Sequence, residues 1–153
     1  MSVVAAVRPD SWNFPLLVHV AGAMILVGGL LSGTSVLAYA RRDERFLRLG
    51  YWSLVVIAFP GWILMRLGAQ WIAAKEHLDD LPRDLEPTWF SIGGAVADVG
   101  GAILLVSLLV GGFGVYRLRE GRGSGLLRAT LVLSLVLLAA YLVAVWAMAG
   151  KPD

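Results

Sequence analysis

Five polar side chains that could carry chemistry lie inside long apolar stretches of the sequence: His19, Arg66, Gln70, Asp98 and Tyr141. An Arg or Asp at the centre of a membrane span costs about 2.5 to 3.5 kcal/mol on insertion scales, so charged groups there usually pair or serve a function. We therefore expect one of two arrangements. Arg66 and Asp98 form a buried ion pair whose remaining hydrogen bonds come from the other three side chains. Alternatively, the cluster is a binding pocket or proton site in which Asp98 or His19 titrates.

The apolar stretches that carry these residues have the properties of membrane spans. Of the 153 residues, 58% are hydrophobic and 16% are charged, and the mean hydropathy is +0.75. A soluble domain of this size has about a quarter charged residues. Four stretches exceed the ~20 residues that cross a bilayer, at about 14–40, 49–74, 89–116 and 129–150. The sequence therefore predicts an all-α integral membrane four-helix bundle, a single transmembrane domain over residues 1–153.

Basic residues predict the orientation of this bundle. The segments 41–48 and 117–128 each contain four arginines, whereas the opposite side has Arg8, Lys75, Arg83 and Lys151. Because Lys and Arg are retained on the cytoplasmic side, we expect two out-in-out hairpins with both termini outside, in the cell's inner (plasma) membrane.

The two charges inside the spans are predicted to lie at the same depth. Arg66 is eight residues inside the outer end of the second span, and Asp98 is nine residues inside that of the third. At a rise of 1.5 Å per residue, both lie about 12 to 14 Å deep. Tyr141 falls at the same level, and His19 and Gln70 fall nearer the outer surface, so all five should share the outer half of the bundle.

Glycines share helical faces with these polar residues. Gly22, Gly29 and Gly33 follow His19 at heptad-like spacings, and Gly94 and Gly101 flank Asp98. Small residues let membrane helices approach closely. We therefore expect both faces to contact protein, either inside the bundle or on a partner membrane protein or a second copy of the chain.

Cofactor and enzyme signatures are sparse. His19 and His77 are the only histidines, so b-type haem would need the loop that carries His77 to fold inward. A copper site at His19 lacks methionines at paired spacing. We expect no cofactor, with haem b or copper as the weaker alternative. Cysteine is absent, and there is no Walker A, H-E-x-x-H or G-x-S-x-G motif. We therefore expect neither an enzyme nor a nucleic-acid-binding protein.

Two segments resemble known membrane proteins. Residues 17–23, Leu-Val-His-Val-Ala-Gly-Ala, precede Gly28-Gly29, and Pro-Gly-Trp at 60–62 precedes Arg66 and Gln70-Trp71. These segments resemble a family of small four-span bacterial integral membrane proteins of unknown function. The first helix is also similar to membrane domains of the copper resistance protein D type, but further ligand histidines and methionines are missing. The resemblance implies a four-span bundle and no activity.

Three functions remain open. The sequence favours an accessory or interaction subunit that packs against other membrane proteins or itself, because it contains no catalytic constellation and has glycine-rich faces. The alternatives are a small transporter or ion- or proton-binding protein that uses the outer polar pocket, and a haem or copper carrier.

Overall fold

The computed structural model describes residues 13–40, 43–76 and 88–150, and within these ranges the chain is helical apart from short turns. The elements in order are α1 (Asn13–Tyr39), α2 (Glu44–Ser53), a π-helical turn (Leu54–Ala58), α3 (Phe59–Glu76), α4 (Thr88–Leu118) and α5 (Ser124–Gly150). The predicted all-α class is confirmed for this part of the chain.

Four helical stretches are long and apolar enough to cross a membrane. They are Phe14–Tyr39, Glu44–Lys75, Ser91–Leu118 and Ser124–Gly150. In the most apolar window of each, only 28–33% of the residues are buried inside the protein. The remaining surface is mostly apolar, as lipid contact requires. The four predicted spans are thus confirmed as candidates for membrane crossing.

Two helices begin before the predicted starts at 49 and 129. The extra turns carry Arg45, Arg48 and Arg128, which end the apolar runs in sequence but do not end a helix. Asp43 caps the start of α2 by accepting a hydrogen bond from the Arg45 amide at 2.9 Å. Hydropathy marks where a helix leaves lipid, whereas the cap marks where the helix begins.

The helices pack as two hairpins, one formed by α1 with α2 and α3, the other by α4 with α5. The hairpins meet where α1 packs on α5 and α2 packs on α4, while α3 and α4 touch at few positions. We call the half of the bundle with residues 13, 76, 88 and 150 the terminal half. The other half, with Tyr39, Glu44 and the turn at 119–123, is the turn half.

Pro60 accounts for the π-helical turn between α2 and α3. Proline has no N–H, and its ring clashes with the carbonyl four residues earlier, here that of Val56. The turn is widened so that the Phe59 N–H bonds to the Leu54 carbonyl, five residues back. Before this turn α2 packs on α4, and after it α3 contacts α4 at few positions. The second span therefore contacts the other hairpin differently in its two halves.

Glycines set the close contact of α1 with the π-helical turn and α3. A Cβ at Gly29 would lie 2.5 Å from the backbone nitrogen of Ala58, and one at Gly22 would overlap the Met65 backbone. Across the contact, Gly61 and Gly68 of α3 lie equally close to the α1 backbone. Such close approach is possible only without side chains.

The predicted packing glycines thus divide into three groups. Gly22, Gly29 and Gly33 all face the second span inside the hairpin, so they are used within the bundle and not by a partner. Gly101 lies against the ring of Trp62, whereas a Cβ at Gly94 would meet open space.

Adjacent glycines in α1 should respond oppositely to alanine. A Cβ at Gly28 meets nothing within 4 Å, whereas one at Gly29 meets Ala58. We expect Gly28→Ala to be neutral or to stabilise by up to about 1 kcal/mol through helix propensity. Gly29→Ala should destabilise by about 1–3 kcal/mol through overpacking. Unfolding of both variants in mixed detergent micelles measures this, and equal responses would contradict the packing described.

Candidate interaction site at the Arg66–Asp98 ion pair

Side chains of α3 bridge the gap to α4 in the terminal half. The indole Nε1 of Trp62 donates to the Ala97 carbonyl at 3.2 Å, and its ring lies against Gly101. Arg66, one turn further along α3, pairs through Nη2 with Oδ1 of Asp98. Residues four apart share a helix face, so both α3 side chains reach α4 on one side. We call this set of contacts the α3–α4 junction.

The ion pair lies at the lateral surface of the bundle. The side chain of Arg66 is 30% exposed and that of Asp98 is 61% exposed. The structure thus brings the two charges together, but Asp98 does not face the protein interior as its glycine-flanked position predicts. The reason is that α3 does not pack closely on this part of α4, so nothing in the described chain covers the outer side of Asp98.

Tyr141 of α5 lies beneath this pair. Its side chain is 3% exposed, and a Cβ at Gly100 would lie 2.8 Å from its hydroxyl. Among the described residues, this hydroxyl has no hydrogen-bond partner. A buried hydroxyl left unpaired costs about 1–3 kcal/mol. Two adjacent glycines of α4 thus contact aromatic side chains from different helices: Gly100 contacts Tyr141 of α5, and Gly101 contacts Trp62 of α3.

The other two residues of the predicted cluster lie elsewhere. Nδ1 of His19 is 2.9 Å from the Met65 carbonyl, so it carries the proton and ties α1 to α3. Gln70 is exposed on α3. The structure therefore pairs Arg66 with Asp98 and places the Tyr141 hydroxyl against Gly100, two residues along α4 from Asp98. It places His19 in the glycine contact described above.

Sequence reasoning missed Trp62 as a member of the site. The available signal was its depth: the other tryptophans fall near the predicted span ends, where interfacial aromatic residues are expected. A tryptophan in mid-membrane needs an acceptor for its N–H, and here the acceptor is a backbone carbonyl of the neighbouring hairpin.

A second polar layer in the turn half was also missed. The Ser107 and Ser134 hydroxyls lie 3.3 Å apart, the Thr130 hydroxyl donates to the Leu126 carbonyl at 3.0 Å, and the Tyr51 hydroxyl donates to the Leu108 carbonyl at 3.2 Å. These hydroxyls hold α4 to α5 and to α2. Serine and threonine are common in helices and often bond to their own helix, so the sequence does not single them out.

Fully buried leucines separate the two polar layers. Leu137 lies between Ser134 and Tyr141 along α5, and Leu104 lies between Ser107 and Gly100 along α4; both leucines are 0% exposed. Among the described residues, the polar groups therefore form no continuous path between the two halves.

Metal ligands do not cluster in the described chain. Residues 13–40, 43–76 and 88–150 contain no group of three or more His, Asp or Glu side chains that could hold a metal ion. His77 lies outside the described residues, so pairing of His19 with His77 on haem stays a prediction.

Comparison of the chain with protein-family models, curated proteins and solved structures finds no match. The resemblance to the four-span family and to copper resistance protein D-type helices therefore stays a prediction from the quoted residues.

Two tyrosines should respond differently to loss of the hydroxyl. Tyr141→Phe removes an unpaired buried group, so we expect the free energy of unfolding to be unchanged or to rise by up to about 2 kcal/mol. Tyr51→Phe removes a hydrogen bond to Leu108 and should cost about 1 kcal/mol. Thermal unfolding in detergent measures both. A marked loss of stability in Tyr141→Phe would mean that the hydroxyl has a bound partner.

Proposed function

We propose that this protein is a small, non-enzymatic accessory protein of the membrane. It packs laterally, through the surface at the α3–α4 junction, against a neighbouring transmembrane helix. The observation that carries the proposal is the Asp98 side chain, which is 61% exposed within the candidate span Ser91–Leu118.

Hydrocarbon is a poor environment for this carboxylate. The pairing with Arg66 leaves 61% of the Asp98 side chain exposed. A short aspartate side chain cannot reach the interface as Lys and Arg do. Ionisable residues in spans almost always face protein or water. A neighbouring helix that covers Asp98 would exclude lipid and could donate a hydrogen bond to the exposed carboxylate.

The surface around Asp98 supports close packing of such a helix. Ala95 and Ala102 lie on either side of it along α4, and both are exposed. A Cβ at Gly94 would meet open space. Small side chains at these positions allow a second backbone to approach. This face replaces the α1 glycines as the docking surface, because those glycines are used inside the hairpin.

An ion- or proton-binding role is the alternative. The observation that favours it is the buried Tyr141 hydroxyl, which has no hydrogen-bond partner among the described residues and could bond to a bound ion or water. The buried leucines between the polar layers oppose a path that crosses the bundle. An accessory role needs no such path, and we therefore prefer it.

The proposal includes an orientation, with both termini outside the plasma membrane. Its support is the arginine-rich sequence segments 41–48 and 117–128. Because the chain has no cysteine, single-cysteine variants can be made without first replacing native cysteines. We expect an impermeant maleimide to label Ala149→Cys in intact cells and to label Glu120→Cys only after permeabilisation. The reverse pattern would invert the proposed topology.

Cross-linking tests the docking face. We expect Ala102→Cys, one turn from Asp98, to cross-link in native membranes to a transmembrane segment identified by mass spectrometry of the linked peptide. Val143→Cys is the matched control, since it is 54% exposed on α5, away from the junction. Equal cross-linking at both positions, or none at either, would contradict the proposal that the surface around Asp98 is the docking surface.

A further inference from the structure

We propose that the neighbouring helix belongs to a second copy of the chain. The two copies would be related by a two-fold axis along the membrane normal, so that their Arg66 and Asp98 side chains form a ring of four alternating charges. This inference rests on the lateral docking proposed above and names the partner.

Two-fold symmetry places the ion pairs of the two copies at the same depth in the membrane. A two-fold axis along the membrane normal leaves the depth of every residue unchanged, so the ion pairs of both copies lie at one level. A two-fold interface is isologous, so each contact occurs twice. If Asp98 of one copy meets Arg66 of the other, the reciprocal contact forms as well.

The unused bonding capacity of the pair fits this arrangement. Within one chain, Arg66 pairs with Asp98. A guanidinium has five N–H donors in a fork that offers at most two of them to one carboxylate. Arg66 therefore keeps donors for a second carboxylate, and both side chains of the pair are partly exposed at the side of the bundle.

Charge balance favours a second copy over a foreign helix with a single basic residue. Such a helix would add one cation to a neutral pair and leave a net charge in hydrocarbon, which is costly. A second copy adds one cation and one anion, so the ring of four sums to zero. The exposed small residues Ala95 and Ala102 permit α4 of each copy to approach the axis.

The experiment uses the full-length Ala102→Cys chain in membranes, with a short bis-maleimide. We expect a cross-linked product of about twice the 16.4 kDa chain mass, and little from Val143→Cys. Adding Arg66→Met and Asp98→Leu removes both charges without leaving one unpaired, so this variant should fold and insert. Its dimer fraction should fall by at least about fivefold, since each dimer loses two inter-chain contacts.

Complementation tests the charge pattern directly. The Arg66→Asp chain carries two carboxylates at this level, and the Asp98→Arg chain carries two guanidiniums. Each alone should fail to dimerise, whereas differently tagged copies expressed together should cross-link to each other. If these charged variants do not insert, the neutral Met/Leu variant still decides the question.

Three results would overturn the inference. Persistence of the dimer in the Met/Leu variant would mean that the charges do not hold it. Cross-linking of Ala102→Cys to a different membrane protein, and not to itself, would reject the second copy but support the proposed accessory function. Cross-linking no greater than that of Val143→Cys would reject both proposals.

Discussion

The arrangement depends on the cost of placing a carboxylate in hydrocarbon. Asp98 cannot lie in a membrane span without a partner, and Arg66 supplies one from the other hairpin. Because the two residues belong to different hairpins, satisfying this charge also joins α3 to α4. Ion pairs that are removed from water add little net stability, but they can specify which helices associate. Here the ion pair joins α3 to α4, two helices that otherwise contact each other at few positions.

The α1–α3 and α3–α4 contacts differ in how closely the helix backbones approach each other. α1 and α3 approach so closely that Gly22 and Gly61 lie against backbone atoms. No comparable approach links α3 to α4, where the long side chains of Trp62 and Arg66 span the distance instead. A contact made by side chain tips covers less surface than one made by glycine faces. The ion pair therefore lies at the lateral surface and not at the centre of the bundle.

The sequence predicts the depth of a residue along its helix better than it predicts the rotation of that helix about its own axis. Hydropathy located four candidate spans because most side chains that face lipid must be apolar, and counting residues along two helices matched Arg66 with Asp98. Depth does not determine which way a helix face turns. His19 therefore bonds to the Met65 carbonyl, and Gln70 is exposed, although both were expected beside the pair. The Pro60 turn illustrates the difficulty, since α2 and α3 contact the other hairpin differently on either side of it.

The distribution of polarity bears on whether the protein acts across the membrane or along it. A crossing path would need polar groups at every depth, but Leu104 and Leu137 are wholly buried between the hydroxyl layer and Tyr141. The hydroxyl layer is internally bonded: the Ser107 and Ser134 hydroxyls lie 3.3 Å apart, and Thr130 donates within its own helix. The exposed carboxylate of the terminal half instead faces sideways, at Asp98. A bundle whose buried polar layers are separated by leucines and which carries a charge at its lateral surface is suited to contacts in the plane of the bilayer, and this supports lateral association over transport.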